Sequence, residues 1–114
     1  MIIDNLRSKL VEYQKANDSF KLGVLRFFLS QVKNKEIELR AQGKELSDED
    51  VFKVLRKEVK NRKEGIETYT KANRTDLLQK EKDELDVYLE YAKLFPFELE
   101  KINPMVQRNS NQRI

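Results

Sequence analysis

The residue types that carry out covalent catalysis are missing from this sequence of 114 residues. It has no cysteine and no histidine, which removes thiolate nucleophiles, thiolate metal ligands and the commonest general base. No serine lies in a glycine-rich turn, and the three glycines (Gly23, Gly43 and Gly65) are isolated, so no glycine loop can cradle a phosphate group. We therefore expect no catalytic residue, no cofactor, no metal site and no small-molecule substrate.

Carboxylates are the chemically active groups that remain, and Glu81, Glu84 and Asp86 lie close together in the sequence. Lysines surround them on a predicted helix, and a solvated helix face explains such a pattern. A carboxylate-bridged metal site would normally include a Glu-x-x-His pair, and histidine is absent. These acids are therefore interpreted as surface residues.

One segment, residues 53–63, is strongly basic. Spacings of three and four residues place most of its lysines and arginines on one flank of a helix, and a further arginine follows near Lys71 at the tip of a predicted hairpin. Lys and Arg contact phosphates without sequence specificity, so the pattern predicts a nucleic-acid-binding surface. Its residues are Lys53, Arg56, Lys57, Lys60, Lys63 and Arg74. The alternative is a solvated face on which Glu58 and Glu64 are local partners.

Three charged residues, Arg26, Glu36 and Arg62, occupy positions where the apolar spacing predicts a core residue. A charge on the core face is costly unless it is paired and hydrogen-bonded. We therefore predict that Arg62 or Arg26 forms a buried ion pair. The carboxylates within reach of such a pairing are Glu36, Glu58, Glu81 and Glu84. The alternative is that the long side chains bury their stems and extend their charged ends to water.

Apolar residues recur at spacings of three and four along the chain, which predicts four helices. The predicted spans are about 3–17, 19–42, 47–72 and 75–95. Asp18 or Ser19 can cap the second helix, and Ser47 with Asp50 resembles a capping box at the start of the third. Pro96 is expected to end the fourth helix, because proline lacks the amide that the helix needs. A short helix is predicted over 97–102.

The predicted fold class is all-α, a four-helix antiparallel bundle with a long hairpin of helices three and four. Charged residues make up 38% of the chain and hydrophobic ones 39%, which favours narrow apolar stripes on charged helices. We expect one helical domain over 1–103 and a flexible, frayed tail over 104–114. The start of the chain lacks signal-peptide features, and the longest apolar run, Phe27 to Leu29, cannot cross a bilayer. The expected location is cytoplasmic.

Several segments resemble the YqeY family, which is related to the tail of the GatB amidotransferase subunit. The strongest are LSDEDV at 46–51, VLRKEVKNRKEGI at 54–66 and ANRTDL at 72–77. Weaker matches are LR at 25–26, KNKEIE at 33–38, KE at 80–81, EL at 84–85 and Tyr91. Together the segments cover residues 3–92. Two departures are Asn73, where the family usually has glycine, and the sequence after Tyr91, where the family has Leu-Pro.

The resemblance implies an all-helical fold and an association with tRNA-dependent amidation. It also implies an inherited label, carbon–nitrogen ligase activity with glutamine as amido-nitrogen donor, although no stretch of this sequence supplies a glutaminase or kinase site. Family members usually continue into a further small helical subdomain thought to contact tRNA. Since the sequence stops soon after Pro104, we expect that subdomain to be absent or reduced.

Two functional hypotheses follow. The first is a non-catalytic accessory module that binds tRNA or a tRNA-handling protein through the basic segment. The second is a protein-interaction module without RNA contact, docking on a partner or on a second copy of itself. Aromatic residues dominate the energetics of such interfaces, and the predicted anchors are Tyr69, Phe95 and Phe97. An amidotransferase enzyme ranks last.

Overall fold

The computed structural model describes residues 1–99, and in this part of the chain it contains four α-helices and no β-strand. The helices are α1 (Ile2–Lys15), α2 (Ser19–Ala41), α3 (Asp48–Lys71) and α4 (Thr75–Ala92). The all-α fold class is confirmed. The short helix predicted over 97–102 extends past the described residues, and the predicted tail over 104–114 lies outside them.

The helix boundaries follow from local side-chain chemistry. At the start of α3, Ser47 Oγ accepts a hydrogen bond from the Asp50 amide (3.2 Å), and Asp50 Oδ2 accepts one from the Ser47 amide (3.0 Å). This reciprocal pair is the predicted capping box. Asp18 caps α2 by accepting from the Lys21 amide at 3.0 Å. Asn73, with φ of 55°, lies in the left-handed conformation that asparagine tolerates better than most residues.

The predicted end of the fourth helix is wrong. We expected α4 to continue to Phe95, but it ends at Ala92. The residue before a proline is disfavoured in the helical conformation, and here the chain leaves the helix before it reaches Pro96. The turn that follows directs Phe95 inward, where its ring centroid lies 5.3 Å from that of Phe52 in α3.

Helices α3 and α4 form the predicted antiparallel hairpin. Arg62 contacts Glu84 across the hairpin, while Phe52 near the start of α3 contacts Phe95 just beyond the end of α4. Three aromatic rings pack against one another where α2 meets this hairpin, with centroid separations of 6.0–6.3 Å. They are Phe28 of α2 and Tyr88 and Tyr91 of α4. All three rings are almost fully buried.

Helix α1 is attached to the other helices at both of its ends. The Ile2 amide donates a hydrogen bond of 3.0 Å to Asp48 Oδ1, in the first turn of α3. Near the other end of α1, the hydroxyls of Tyr13 and Tyr91 are hydrogen-bonded at 3.0 Å. Between these points Leu6 is fully buried in the common core.

None of the helices within residues 1–99 has the combination of length and apolar composition that a membrane span requires. The fold therefore presents two kinds of surface that matter for function. These are the outward faces of long, highly charged helices and the shallow grooves between them.

Candidate nucleic-acid interface

The predicted partners of Arg62 surround it in the structure. Its Nε lies 3.2 Å from Glu81 Oε1, and its Nη1 lies 3.1 Å from Glu84 Oε1 and 3.9 Å from Glu58 Oε1. The four side chains form what we call the Arg62 cluster. Glu81 and Glu84 are only 15% and 16% exposed, so their interpretation as surface residues is wrong. Antiparallel packing of α4 on α3 brings these acids under Arg62.

Glu58 is the most buried member of the Arg62 cluster, with 4% of the residue exposed. Its Oε1 atom makes no hydrogen bond within the described part of the chain. Burial raises the pKa of the Glu58 carboxyl above its usual range, and the charge of Arg62 opposes that shift only in part. Three carboxylates share one guanidinium here, and the structure accommodates them by placing one in an environment that favours its neutral form.

A groove of about 530 Å³ opens beside the Arg62 cluster, between the first half of α2 and the α3–α4 hairpin. Phe20 and Phe27 form part of its wall, and Tyr88 lines it together with the cluster. Burial and the Glu58 charge raise the pKa of the Tyr88 hydroxyl, which keeps that hydroxyl protonated. Within residues 1–99, no group of three or more acidic side chains has an arrangement that could hold a metal ion. The arrangement is that of a structural ion-pair network.

Arg26 is exposed, so the prediction that it is a buried charge is wrong. Its spacing from Leu22 and Leu29 suggested a core position. Those two leucines, however, lie at the half-buried edge of the stripe, and the fully buried face of α2 is centred elsewhere. That face consists of Val24, Leu25, Phe28, Val32 and Leu39. Arg26 points away from it, and it forms none of the ion pairs found among residues 1–99.

Glu36 is also outside the core, which corrects its prediction as a buried charge. It is half-buried on the surface of α2, where its carboxylate lies 3.3 Å from Lys33 and 3.9 Å from Arg40. Both partners belong to the same helix, one turn away. Glu36 therefore belongs to a chain of surface ion pairs, which contribute little to stability.

Apart from Arg62, the basic residues of α3 lie on the face of that helix that points away from the core. Lys53, Lys57, Lys60 and Lys63 are exposed, and Arg56 is half-buried. We call these five residues the basic ridge. At 1.5 Å per residue, the ten-residue interval from Lys53 to Lys63 extends the ridge over about 15 Å.

The positive charges of the basic ridge are uncompensated by ion pairs. Among residues 1–99, none of the five has a carboxylate within 4.0 Å, whereas arginines and lysines on other faces do. Glu58 and Glu64 had been the predicted local partners. Glu58 instead points into the Arg62 cluster, and Glu64 makes none of the ion pairs in this part of the chain. The ridge is therefore an open array of cationic side chains.

Arg74 occupies the position predicted for it, at the tip of the hairpin beyond the ridge. Its Nη2 lies 3.4 Å from Asp76 Oδ2, and both side chains are exposed. The hydrogen bond from Arg74 lowers the pKa of the Asp76 carboxyl. Arg74 therefore differs from the basic ridge in having an acidic partner of its own.

A second groove, of about 250 Å³, runs between α2 and the amino-terminal half of α3. Lys53 and Lys57 of the basic ridge line one of its walls, and Lys35 of α2 lines the other. Lys35 was not among the predicted site residues. Its contribution depends on the packing of α2 against α3, which the spacing of residues along one helix does not reveal.

Of the predicted protein-interaction anchors, Phe95 is buried and Phe97 is half-buried. The ring centroids of both residues lie 5.3 Å from that of Phe52. Phe95 is therefore a core residue, and it is not free to anchor a partner. Tyr69 is half-buried.

Related proteins carry this segment within longer chains. A protein named Altered inheritance of mitochondria protein 41, mitochondrial, from Lachancea thermotolerans is 34% identical over 94 residues, which are 82% of this chain and 49% of that protein. Its namesake from Saccharomyces cerevisiae strain YJM789 is 32% identical over 91 residues, 80% of this chain and 48% of that protein. The chain thus spans about half the length of these two curated relatives.

A protein described as uncharacterized from Schizosaccharomyces pombe is 31% identical over 86 residues, 75% of this chain and 68% of that protein. The family described as Yqey-like protein matches residues 3–112 of the chain. This match continues past residue 92, where the sequence resemblance was expected to end. The chain belongs to the YqeY family.

Proposed function

We propose that this chain is a non-catalytic module that binds the phosphate backbone of RNA through the basic ridge of α3. The observation that supports the proposal is that four of the five ridge residues are exposed and that none of the five forms an ion pair among residues 1–99. A lysine that is already paired must lose its partner before it can bind phosphate. The side chains of the basic ridge have no such partner, so they release only water and counterions when they bind phosphate.

The shape of the ridge suits a nucleic-acid strand better than a compact anion. Its side chains are distributed along about 15 Å of one helix and do not converge on a point. Contacts of this kind position a phosphate backbone and carry no sequence information. Lys35, across the groove from Lys53 and Lys57, would widen the contact on the α2 side.

The YqeY resemblance supports tRNA as the first RNA to test and an accessory role in tRNA-linked amidation, with catalysis supplied by other proteins. The names of two relatives refer to mitochondria, and this location is stated for those proteins. For this chain we propose the cytoplasm. A fluorescent fusion of the chain imaged in its host tests that location.

Fluorescence anisotropy with labelled tRNA, measured over a series of salt concentrations, tests RNA binding. We expect binding that weakens steeply as salt increases. The double variant Lys57→Glu with Lys60→Glu should weaken binding strongly. It should also reduce the slope of log K against log salt by about 2, since each lost phosphate contact removes about 1.

The matched control is Lys15→Glu with Lys82→Glu. Both residues are exposed and lie on α1 and α4, so the net charge changes by the same amount while the ridge stays intact. Binding by the control should equal that of the natural chain. Equal losses in both double variants would indicate a response to net charge alone and would overturn the ridge assignment. Absence of RNA binding would favour the alternative function, a protein-interaction module without RNA contact.

A further inference from the structure

The outward face of α2 carries a continuous stripe of residues at alternating spacings of three and four. The stripe consists of Phe20, Gly23, Phe27, Ser30, Asn34, Ile37 and Ala41. Every one of these residues is exposed, and the three large ones among them are 40%, 46% and 52% exposed. Four of the seven residues are apolar (Phe20, Phe27, Ile37 and Ala41). The alternating spacing of the seven, kept over three heptads, is that of positions a and d in a coiled coil. We call this set the α2 seam.

The α2 seam lies opposite the face that packs in the core. In heptad notation, with Phe20 at position a and Gly23 at d, position f contains Leu25, Val32 and Leu39, all buried. A helix docked on the seam would therefore leave the inner face of α2 in the core. It would enter the two grooves that seam residues line, with Phe20, Gly23 and Phe27 beside the α3–α4 hairpin and Asn34 beside α3. The position-d residues Gly23 and Ser30 are small, and a Cβ at Gly23 would have no neighbour within 4 Å. They leave room for phenylalanine rings from a facing helix.

The charges beside the α2 seam indicate what would occupy it. One edge, position g, is basic throughout and contains Arg26, Lys33 and Arg40, all exposed. The other edge, position e, contains Val24, which is buried in the core, the half-buried Gln31 and the exposed Glu38. In a parallel pair, position g of one helix faces position e of the other, five residues further along. Lys33 then meets Glu38 of the second copy, and this happens twice in a symmetric pair.

An antiparallel pair has the opposite electrostatics. There each basic edge would face the basic edge of the other copy, which sets Arg26, Lys33 and Arg40 against one another. Asn34 adds a second argument for a parallel pair. It occupies heptad position a between Phe27 and Ala41. A single asparagine at such a position specifies register and oligomeric state in parallel dimers.

We propose that two copies of this chain associate through the α2 seam as a parallel, two-stranded coiled coil. Lys33 and Glu38 already form ion pairs within α2, but these pairs oppose the arrangement only weakly. Lys33 pairs with Glu36 at 3.3 Å and Glu38 pairs with Lys35 at 3.1 Å, all on the surface. Exposed pairs within one helix contribute little to stability, so the loss of these pairs opposes the formation of pairs between copies only weakly.

Sedimentation equilibrium of the full chain over a range of concentrations tests the proposal. We expect a species of twice the 13.6 kDa chain mass that dissociates on dilution. Phe27→Asp should abolish it, because the substitution places a charge in the middle of the seam. The matched control is Val11→Asp, an exposed apolar residue on α1, which should leave dimerisation unchanged. A monomer at all concentrations, or equal sensitivity to both substitutions, would overturn the proposal.

The orientation is tested by cross-linking, which the absence of natural cysteine makes unambiguous. Ala41→Cys should form an intermolecular disulfide on oxidation, because residue 41 lies beside its own copy in a parallel pair. In an antiparallel pair the two thiols would be about 30 Å apart, beyond the reach of a disulfide. A dimer that does not cross-link through position 41 would overturn the parallel arrangement.

A charge exchange provides a test that leaves the apolar seam unchanged. Lys33→Glu and Glu38→Lys chains should each self-associate less than the natural chain, since each places like charges together. When the two variants are mixed, both inter-chain pairs become opposite in sign, so a heterodimer should form in preference to either homodimer. A mixture with no such preference would contradict the proposal.

Discussion

Tyr13 and Tyr91, which are 78 positions apart in the sequence, share a buried hydrogen bond of 3.0 Å between their hydroxyl oxygens. The contact joins the end of the first helix to the last turn of the fourth. Burial and the hydrogen bond with Tyr13 raise the pKa of the Tyr91 hydroxyl, and each hydroxyl is the hydrogen-bond partner of the other.

Removing one of these hydroxyls should cost more than removing both. Tyr91→Phe or Tyr13→Phe leaves a buried hydroxyl without a partner, and we expect the free energy of unfolding to fall by about 1–3 kcal/mol. The double variant should be closer in stability to the natural chain than either single variant, because no buried hydroxyl is left without a partner. Urea unfolding of the three variants measures this coupling. Additive losses would show that the two hydroxyls act independently.

Arg62 should be more important for stability than any other charged residue on α3. Arg62→Met leaves Glu58, Glu81 and Glu84 without their shared cation, and loss of one partner in a buried ion pair typically costs about 3–5 kcal/mol. We expect a loss near the lower end, since Arg62 is 20% exposed. Arg26→Met on the surface of α2 is the control and should change the free energy of unfolding by less than about 0.5 kcal/mol.

Glu58 should make the stability of the fold depend on pH. Because the pKa of its carboxyl is raised in the folded protein above its ordinary value of 4.5, the folded state binds more protons than the unfolded state between the two pKa values. This contribution to stability is complete below pH 4.5 and is lost as pH rises through the folded pKa. Glu58→Gln removes it, so the variant should gain stability relative to the natural chain as pH rises.

Thermal unfolding of both proteins between pH 4 and pH 8 tests this expectation. The measured quantity is the difference in Tm between Glu58→Gln and the natural chain at each pH. Equal pH profiles for the two proteins would mean that Glu58 ionises in the folded state as freely as in the unfolded chain.

Two helical glycines should respond in opposite ways to alanine. At Gly23, where a Cβ would have no neighbour within 4 Å, Gly23→Ala should stabilise the fold by about 0.5–1 kcal/mol through the better helix propensity of alanine. At Gly65 a Cβ would lie 2.5 Å from Glu81 Oε1, an atom that Arg62 holds in place. Gly65→Ala should therefore lose that gain or reverse it.

Chemical unfolding measures the free energy of unfolding of both alanine variants. Each substitution is made in the natural chain and again in a chain that also carries Glu81→Ala. Without the Glu81 side chain, the space opposite Gly65 is free, so the alanine substitution should recover its stabilising effect. An equal gain at both glycines in the natural background would contradict the predicted collision.

The sequence predicted those features that depend on nearby residues. The Ser47–Asp50 capping box and the reversal at Asn73 rest on local chemistry, and both hydrogen bonds of that box and the left-handed Asn73 are present. Spacing also predicted that Arg62 pairs with acids, but it did not decide between burial and solvation of Glu81 and Glu84, and their interpretation as surface residues was wrong. The antiparallel packing of the hairpin decides that choice.

Features that depend on which face of a helix points inward were harder to predict. Helix α2 carries large apolar residues on two sides, the core face with Phe28 and the outer face with Phe20, Phe27 and Ile37. A period of 3.6 residues fits either side, so the stripe was assigned partly to the wrong edge and Arg26 was mistaken for a core residue. The alternating spacing of Phe20, Phe27 and Ile37 was the available signal for a second apolar face.

Asp48 belongs to the first turn of α3, and it also accepts the hydrogen bond from the Ile2 amide at the first turn of α1. One carboxylate thus sits near the positive ends of two helix dipoles. Opening of either helix start removes a stabilising contact from the other, so the two should open together. The backbone amides at the beginning of the chain would then exchange their hydrogens with solvent at a rate governed by α3, more than forty residues away.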